Sequence, residues 1–313
     1  MVTVAVVSFN TRALLLDCLA SLAPQVETSR AEVWVVDNAS ADGSAAAARQ
    51  AAPWATVVEA AQNLGFGAAV NLVAERTRSP WLLAANADIV LEPGALETML
   101  AAGADARTGA VAPRLLLPGG ATQHSVHPLP TLPLTLAFNL GLHHTSRRLV
   151  DRLCLEGHWD SERARVVPWA IGACLLLRRE AFEEVGGFDE HQWLYAEDLD
   201  LGWRLHHRGW ATRYEPQARV RHIGGAATRT VFGEDSTEAK MAATYAMLSR
   251  RRGILRMWLT AAINIAGAGI RVAWTAPLAL AGGHRRAAAS QSRRWLRAHL
   301  HGVRRLPVTA SRP

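Results

Sequence analysis

The densest group of acidic side chains in this 313-residue chain is Glu197, Asp198 and Asp200. They open a predicted helix whose far end carries arginine and histidine, and this charge distribution suits the helix dipole. Glu197 and Asp198 also directly follow apolar and aromatic residues, and a carboxylate beside a packed wall can become a general base. We therefore treat both as candidate catalytic groups, and we expect Asp200 to pair with Arg204 four residues later.

The elements that would position these groups begin with alternating strands and helices. Continuous apolar runs at residues 2–9, 32–36, 56–59 and 81–85 predict buried strands, and helical patterns follow each of them. This alternation indicates an α/β fold with a mostly parallel sheet covered by helices on both faces. In such sheets ligands bind beyond the carboxyl ends of the strands. Asp37, Asn63 and the turn Asn86-Ala87-Asp88 follow strand ends, so we expect them to converge on one crevice.

Two common nucleotide-binding motifs are missing from the sequence. No GxGxxG follows the first strand, which argues against a nicotinamide dehydrogenase, and no GxxxxGK[ST] occurs, which argues against a P-loop phosphotransferase. The glycine-rich turn at 63–67 is too short to count as a phosphate cradle by itself.

Composition favours a folded cytoplasmic protein with a basic end. Half of the residues are apolar and 19% are charged, and most of the excess behind the net charge of +7 lies after Arg250. Such a tail could face nucleic acid or an anionic membrane. The three cysteines are scattered, which argues for a reducing compartment and against a zinc or disulfide framework. The N-terminus is expected to be a first strand and not a signal peptide.

The pattern changes at residues 113–165, where prolines replace the regular alternation. We interpret this segment as an irregular excursion over the mouth of the sheet. Four of its histidines have a spacing that matches no metal-ligand pattern and are interpreted as surface or acceptor-cleft residues: His124, His127, His143 and His144. Regular structure returns at 166–178, where Gly172-Ala173 would let backbone or ligand approach closely. Two short final strands are predicted at 212–216 and 218–222.

Taken together, these pieces resemble bacterial family 2 glycosyltransferases, the inverting enzymes of the Rossmann-like GT-A fold, and particularly their rhamnosyltransferase-like branch. The resemblance covers roughly residues 2–225. Each piece is weak alone, but their order and spacing are specific: residues 4–10, 35–40, 63–67, 86–88, 172–174, 186–189, 197–200 and His222.

The resemblance implies a donor site for a nucleotide-diphosphate sugar. The family's DxD motif falls on 86–88, with Asn86 in place of the first acid. Asp88 would then be the carboxylate ligand of a divalent cation, Mg²⁺ or Mn²⁺, and His222 a second ligand. Asp37 would hydrogen-bond the nucleobase or ribose. The remaining donor-side residues are Ser8, Phe9, Asn10, Asn63, Gly65 and Ala87. Alternatively, Asp37 could cap the helix at Gly43, Asp88 could be a turn acid and His222 could be structural.

On the acceptor side, the resemblance makes Asp198 the base that takes the proton from the acceptor hydroxyl. Glu197 would position the acceptor or tune Asp198. The residues expected to line this side are Trp169, Gly172, Ala173, Trp193 and Tyr195.

The C-terminal region is predicted to be helical and membrane-associated. We place a glycosyltransferase domain at 1–232 and a basic helical region at 233–313. Residues 254–280 are apolar, but Arg256 and Arg271 argue against simple insertion. On a helical wheel the polar residues cluster within an arc of about 80°, which suits a helix lying in the membrane interface. A helix packed on the catalytic domain and a spanning helix are the alternatives.

The sequence thus predicts a cytoplasmic, peripherally membrane-associated enzyme. It would move a deoxyhexose such as rhamnose from dTDP-rhamnose to a hydroxyl of a lipid-linked or cell-surface glycan. One alternative keeps the fold with a UDP-hexose or UDP-galactofuranose donor. A second is a catalytically silent nucleotide-sugar-binding scaffold, which Asn86 favours and the Glu197-Asp198 pair opposes. Nucleic acid is not an expected partner, because no recognition motif accompanies the arginine tail.

Overall fold

The computed structural model describes residues 1–142, 146–224, 236–277 and 284–305. The chain forms two compact units, the first of Met1–Leu129 with Leu153–Val231 and the second of Pro130–Arg152 with Phe232–Pro313. His143, His144, the end of the 254–280 segment and the expected boundary at 232/233 lie outside the described residues.

The strands belong to the first unit. They are β1 (Val2–Ser8), β2 (Ala31–Asp37), β3 (Thr56–Glu59), β4 (Trp81–Asn86), β5 (Ile89–Leu91), β6 (Thr108–Leu116), β7 (Val126–His127), β8 (Arg165–Val167), β9 (Trp169–Ala170), β10 (Cys174–Arg178) and β11 (Ala211–His222).

The helices are divided between the units. They are α1 (Arg12–Ser29), α2 (Ser44–Ala51), α3 (Phe66–Arg76), α4 (Ala95–Ala102), α5 (Leu132–Asn139), α6 (Arg147–Arg152), α7 (Arg179–Glu184), α8 (Glu197–His207), α9 (Thr237–Arg252), α10 (Ile254–Thr275) and α11 (His284–Arg304). The second unit contains α5, α6 and α9 to α11.

The main sheet has the order β3-β2-β1-β4-β10-β6-β11-β5, with β8 also pairing with β11. Strands β1 to β4, β6 and β11 run in one direction, whereas β5, β8 and β10 run antiparallel to their neighbours. The predicted α/β class with a mostly parallel sheet is therefore confirmed. The antiparallel strands all follow the first four, where the simple alternation of the sequence ends.

Burial on both faces explains why the central strands β1 and β4 are mostly apolar. On one face of β1, Val4 and Val6 join a core with Leu15 and Leu19 of α1, while Ala5 belongs to the core on the opposite face. A strand covered on both sides needs an apolar residue at every position rather than at alternate ones. The polar loop that follows β1 therefore begins at the end of a strand whose side chains are almost all buried.

Two details of the structure differ from the sequence prediction. The two predicted final strands are one strand, β11, with a bulge between Glu215 and Arg219. The segment 113–165 is also more regular than expected, because β6 continues to Leu116 and α5 and α6 are helical. Proline is compatible with the α5 start, since Pro133 lies in its first turn, where an N–H group has no helical partner.

In the second unit, α10 turns the middle of its polar arc inward, whereas Arg256 and Arg271 at the two ends of the arc are exposed. Thr260 and Gly267 are buried, and the Asn139 side-chain amide of α5 donates to Asn264 Oδ1 at 2.9 Å. A Cβ at Gly267 would lie 1.9 Å from Asn139 Oδ1, so glycine is needed for this approach. The large apolar side chains exposed on α10 are Ile254, Leu255, Trp258, Leu259, Ile270 and Trp274. None of the described helices is long and apolar enough to cross a membrane.

Candidate active site

The carboxyl ends of β1 and β2 bring the first predicted donor residues together. Ser8 pairs with Asp37 in register, and the Asn38 N–H donates to the Ser8 carbonyl at 2.8 Å. Asp37 is buried; its Oδ1 accepts from the Ser40 N–H at 2.7 Å, whereas Oδ2 has no hydrogen-bond partner among the described residues. Such an orphaned acceptor suits an N–H or O–H group of a ligand.

The alternative role of Asp37 as a helix cap is not what the structure shows. The first residue of α2, Ser44, donates its N–H to Asp42 Oδ1 at 3.0 Å. Asp42 Oδ2 accepts from the Arg12 N–H at 2.9 Å. Asp42 therefore stabilises the starts of both α1 and α2, and Asp37 remains at the strand end.

Asn10 ties the loop after β1 to the loop after β2. Its N–H donates to Ser40 Oγ at 2.9 Å, and its Oδ1 accepts from the Ala41 N–H at 2.8 Å. Its φ of 51° lies in the left-handed region, which asparagine tolerates better than most residues. Phe9 lies in this same loop, half-buried, immediately after Ser8.

The 63–67 turn packs against Trp193, in the segment that leads into α8. Gly65 has φ 84°, and a Cβ there would lie 2.2 Å from the Trp193 carbonyl oxygen, so only glycine fits. The Gly65 N–H donates to Asn63 Oδ1 at 3.0 Å, and the Trp193 indole N–H donates to the Asn63 carbonyl at 3.1 Å. Trp193, predicted on the acceptor side, is buried at this joint and supports the turn.

Asn86, Ala87 and Asp88 leave the end of β4 beside β1 and β10. The Asn86 N–H donates to the Ala173 carbonyl at 2.9 Å, and the Ala87 N–H donates to the Val7 carbonyl at 3.1 Å. These bonds place the turn directly beside the Gly172-Ala173 interruption. Asp88 is buried, with its Oδ1 3.3 Å from His222 Nε2 at the end of β11.

A glutamine that the sequence did not single out completes this pair. His222 Nδ1 lies 2.7 Å from Gln123 Oε1, and because this amide oxygen only accepts, Nδ1 carries the proton. In the neutral ring Nε2 then presents its lone pair toward Asp88, and Nε2 is buried without a hydrogen-bond partner among the described residues. A proton or a cation between Asp88 Oδ1 and His222 Nε2 would remove the repulsion between these two acceptor atoms. Gln123 lies in the proline-containing segment, where no sequence signal marks it.

The pair Asp88 and His222 fits a divalent cation that also binds a diphosphate. In the described part of the chain no cluster of three or more His, Cys, Asp or Glu side chains could hold a metal ion. Mg²⁺ and Mn²⁺ sites of nucleotide enzymes commonly take one or two protein ligands and draw the others from phosphate and water. In metal sites the ring nitrogen of a ligand histidine that faces away from the metal typically donates to an acceptor, as His222 Nδ1 does to Gln123.

Asp198 lies in the first turn of α8, and two backbone N–H groups orient its carboxylate. Its Oδ2 accepts from the Gly172 N–H at 3.0 Å and its Oδ1 from the Leu199 N–H at 2.7 Å. The two residues before the helix, Tyr195 and Ala196, have φ of 63° and 59°. Left-handed backbone at non-glycine residues is strained and concentrates at functional sites. The structure therefore brings Asp198, Gly172, Ala173 and the 86–88 turn into one connected region.

Glu197 differs from Asp198 in its surroundings. It is buried, and its Oε2 has no hydrogen-bond partner among the described residues. Burial, and then the neighbouring Asp198 carboxylate, raise the pKa of Glu197 well above its ordinary value. Asp198 therefore accepts two backbone hydrogen bonds, whereas burial pushes Glu197 toward its neutral form.

The rest of α8 is anchored by its own side chains. Asp200 is fully buried and pairs with Arg204 at 2.8 Å, as predicted from the spacing. Arg204 also donates to the carbonyl oxygens of Val185 and Gly187. On the other side, a Cβ at Gly202 would lie 2.4 Å from Trp169 Cβ, so Trp169 packs directly on the helix.

His124 and His127 of the 113–165 segment belong to a group of packed aromatic rings. His127 stacks on Trp169 with ring centroids 4.7 Å apart, and His124 Nε2 lies 2.6 Å from the Cys154 carbonyl oxygen. Burial, with a smaller contribution from His124, lowers the pKa of His127 to about 3. All three cysteines are buried and none of them forms a disulfide.

This geometry agrees with the comparisons to known proteins. The model of the family described as "Glycosyl transferase family 2" matches residues 3–186, and that described as "Glycosyl transferase family group 2" matches residues 140–297. The chain belongs to glycosyltransferase family 2. It is therefore a glycosyltransferase, and the predicted family membership is confirmed.

Several curated relatives of this glycosyltransferase are named as rhamnosyltransferases. The N-acetylglucosaminyl-diphospho-decaprenol L-rhamnosyltransferase of Mycobacterium tuberculosis is 36% identical over 220 residues, which cover 65% of this chain and 70% of that protein. The rhamnosyltransferase WbbL of Escherichia coli is 32% identical over 87 residues, covering 28% of this chain and 33% of that protein. The O-antigen biosynthesis protein RfbC of Myxococcus xanthus is 29% identical over 160 residues, covering 51% of this chain and 12% of that protein.

Solved structures show the same fold. The mannosyltransferase PcManGT of Pyrobaculum calidifontis, in complex with GDP-Man and Mn²⁺, matches with a TM-score of 0.61 at 17% identity, covering 96% of this chain and 84% of that chain. At such low identity the likeness establishes the GT-A-like fold alone.

The raised pKa of Glu197 predicts a pH-dependent cost to stability. The folded protein holds the Glu197 proton more tightly than the unfolded chain does, so the free energy of unfolding falls as pH rises from about 4.5 through the folded-state pKa. The substitution Glu197→Gln removes that cost. We expect its melting temperature to exceed that of the wild type increasingly with pH, by about 2–4 °C for each kcal/mol relieved.

Differential scanning calorimetry over a pH series would measure this difference. Glu180→Gln is the matched control, because Glu180 lies in the first turn of α7 and is exposed. Its melting temperature should follow the wild type at every pH. A constant offset for Glu197→Gln across the series would contradict the prediction.

Proposed function

We propose that this glycosyltransferase moves rhamnose from dTDP-rhamnose to a hydroxyl of a polyprenyl-linked or cell-surface glycan, with inversion at the anomeric carbon. The position of Asp198 carries the proposal: it is a carboxylate fixed by two backbone N–H groups beside the turn that leaves β4. The names of the rhamnosyltransferase relatives support the sugar and the lipid-linked acceptor.

In this mechanism the strand ends hold the donor and Asp198 receives the proton. The unpartnered Asp37 Oδ2 accepts a hydrogen bond from the nucleobase or ribose. Asp198 removes the proton of the acceptor hydroxyl as its oxygen attacks the anomeric carbon, and the bond to the diphosphate breaks on the opposite side. dTDP leaves with the bonding electrons. Glu197 is buried, so it acts on Asp198 through the local field and not by touching the acceptor.

Replacing the proposed base, Asp198, tests catalysis separately from donor binding. We expect Asp198→Asn to lower the turnover number by about 10²–10⁴-fold and to leave the donor dissociation constant nearly unchanged. Asp17→Asn is the control, since Asp17 is exposed on α1. Turnover would be followed by release of dTDP and donor binding by calorimetry.

The same titrations decide the donor. Tighter binding of UDP-hexose or UDP-galactofuranose than of dTDP-rhamnose would keep the enzyme class and replace the rhamnose assignment. If Asp198→Asn loses donor binding as well as turnover, Asp198 belongs to the donor site. If the wild type binds a nucleotide sugar but does not turn it over, the catalytic proposal is wrong and the role of a nucleotide-sugar-binding scaffold takes its place.

We also propose that Asp88 and His222 hold Mg²⁺ or Mn²⁺ against the donor diphosphate. The cation would neutralise the diphosphate as it leaves. The buried Nε2 facing Asp88 supports this, as does the Mn²⁺ named in the complexes of PcManGT and of GalNAc-T7. Asn86 stands where the first acid of the family motif is expected, so the site depends more heavily on its other ligands.

Gln123 gives this metal proposal a test that does not depend on activity. Without its acceptor oxygen, His222 is free to change tautomer and Nε2 no longer presents a lone pair. We expect Gln123→Leu to weaken Mn²⁺ binding in the presence of dTDP by about 10–100-fold, which is the usual effect of removing the hydrogen-bond partner of a metal-binding histidine. Mn²⁺ electron paramagnetic resonance would measure the affinity.

The control is Gln217→Leu, an exposed glutamine on β11, the strand that carries His222. Its Mn²⁺ affinity should equal that of the wild type. Equal affinities for all three proteins would show that Gln123 does not prepare His222 for a metal.

We further propose that the second unit rests on the cytoplasmic surface of a membrane. The α10 helix buries Thr260 and Gly267 in the middle of its polar arc and exposes six large apolar side chains, more than a helix on a water-facing surface usually presents. No acidic residue follows Glu238 in the sequence, so the region suits an anionic bilayer. The free buried thiols agree with a reducing compartment.

Replacing exposed apolar side chains tests this membrane contact. The double substitution Ile270→Ser with Trp274→Ser should lower partition onto anionic vesicles by more than about tenfold, because burial of each side chain contributes about 1.5–3 kcal/mol. Co-sedimentation with vesicles would measure it. Val166→Ser, at an equally exposed apolar residue of β8, is the control and should sediment like the wild type. Unchanged sedimentation of the double variant would overturn the proposal.

A further inference from the structure

The second unit contains a cavity that the proposed reaction does not use. It has a volume of about 240 Å³ and lies between the first turn of α5 and the junction of α9 with α10. The α5 side contributes Pro130, Thr131 and Leu132, and the opposite side contributes Arg252, Arg256 and Thr260. All of these residues lie within the second unit.

The cavity carries positive charge with no acidic residue in its wall. Arg252 and Arg256 line it four residues apart, and every other lining residue is neutral. Arg252 Nη1 donates to the Pro130 carbonyl at 2.5 Å, which anchors this guanidinium at the wall. The Thr260 hydroxyl donates to the Arg256 carbonyl at 2.8 Å. An anion in the cavity would meet one anchored and one exposed guanidinium.

The exposed apolar residues of α10 begin beside this cavity. Leu255 precedes Arg256 by one residue, about 100° around the helix, and Leu259 lies one turn further along. Both leucines are exposed, as is Trp258. When such a face lies in a bilayer, tryptophan and arginine take positions at the level of the lipid headgroups. The cavity would then lie at the depth of the lipid phosphates.

We propose that this cavity binds the phosphate of an anionic membrane lipid headgroup. Guanidinium groups match phosphate oxygens in charge and geometry, and the adjoining apolar residues of α10 account for the lipid chains. A nucleic acid would supply phosphates but nothing for that apolar face. The inference rests on the proposed membrane contact and adds to it a specific headgroup site.

The test compares two arginines of the second unit that carry the same charge. Arg256→Gln removes a cavity guanidinium, whereas Arg293→Gln removes one from the exposed face of α11. With phosphatidylcholine vesicles containing phosphatidylglycerol, we expect Arg293→Gln to lose about 5-fold in affinity, as for one general surface charge. Arg256→Gln should lose about 30-fold, because a charge-assisted hydrogen bond is lost as well.

Further variants and ligands sharpen the outcome. Arg256→Lys keeps the charge but not the planar fork, and we expect a loss between those of the two glutamine variants. On vesicles of phosphatidylcholine alone, Arg256→Gln should bind like the wild type, because the apolar face of α10 is intact.

Several results would overturn the proposal. Equal losses of vesicle affinity for Arg256→Gln and Arg293→Gln would show that Arg256 acts only through its positive charge and that the cavity is not a headgroup site. The membrane proposal would be unaffected. Binding of glycerol phosphate or inorganic phosphate as tightly as the anionic vesicles would make the ligand a dissolved anion. Preference for DNA over anionic vesicles would make it a nucleic acid. Absence of binding to every vesicle would overturn the headgroup site and the membrane contact together.

Discussion

The hydrogen bond from the Gly172 N–H to Asp198 Oδ2 joins the acidic helix to the sheet, and the proposed chemistry depends on it. It requires close approach, since a Cβ at Gly172 would lie 3.3 Å from Phe66 Cε1 and 3.5 Å from Asp198 Cβ. The next residue, Ala173, accepts from the Asn86 N–H. The proposed base, Asp198, and the turn that would hold the donor diphosphate are therefore both hydrogen-bonded to the backbone of Gly172-Ala173, whose position varies less than that of a side chain.

Close packing around α8 gives this bond its support. Gly65 meets Trp193, Gly202 meets Trp169, and Arg204 joins the helix to the turn at 185–187. Glu197 opposes this stability, because burial penalises its charged form. A raised carboxyl pKa next to an oriented carboxylate is a feature of sites built for proton transfer. The strained backbone at Tyr195 and Ala196 belongs to the same pattern, in which local stability is lost where chemistry is placed.

The second unit distributes its polar and apolar side chains differently from the first. Its helices satisfy polar groups inside, through Asn139, Asn264 and the Tyr245–His299 hydrogen bond of 2.9 Å, while α10 presents leucine, isoleucine and tryptophan outward. Water disfavours such an exterior, whereas a bilayer interface favours it. A lipid-linked acceptor would be confined to the same surface, which would raise its local concentration at the enzyme. The cavity between Arg252 and Arg256 would add a specific headgroup contact to that general attraction.

The sequence by itself determined the α/β class, the strand ends where polar residues gather, the Asp200–Arg204 pair and the family. Each follows from local patterns: apolar runs predict strands buried on both faces, and residues four apart meet on a helix. The folded structure was needed to reveal the Gln123–His222 bond, the burial of Trp193 and the inward-facing middle of the α10 polar arc. These contacts join segments far apart in the chain, and a helical wheel gives the separation of polar and apolar faces without saying which one meets the protein. That choice depends on the neighbouring helices, which the local pattern does not contain.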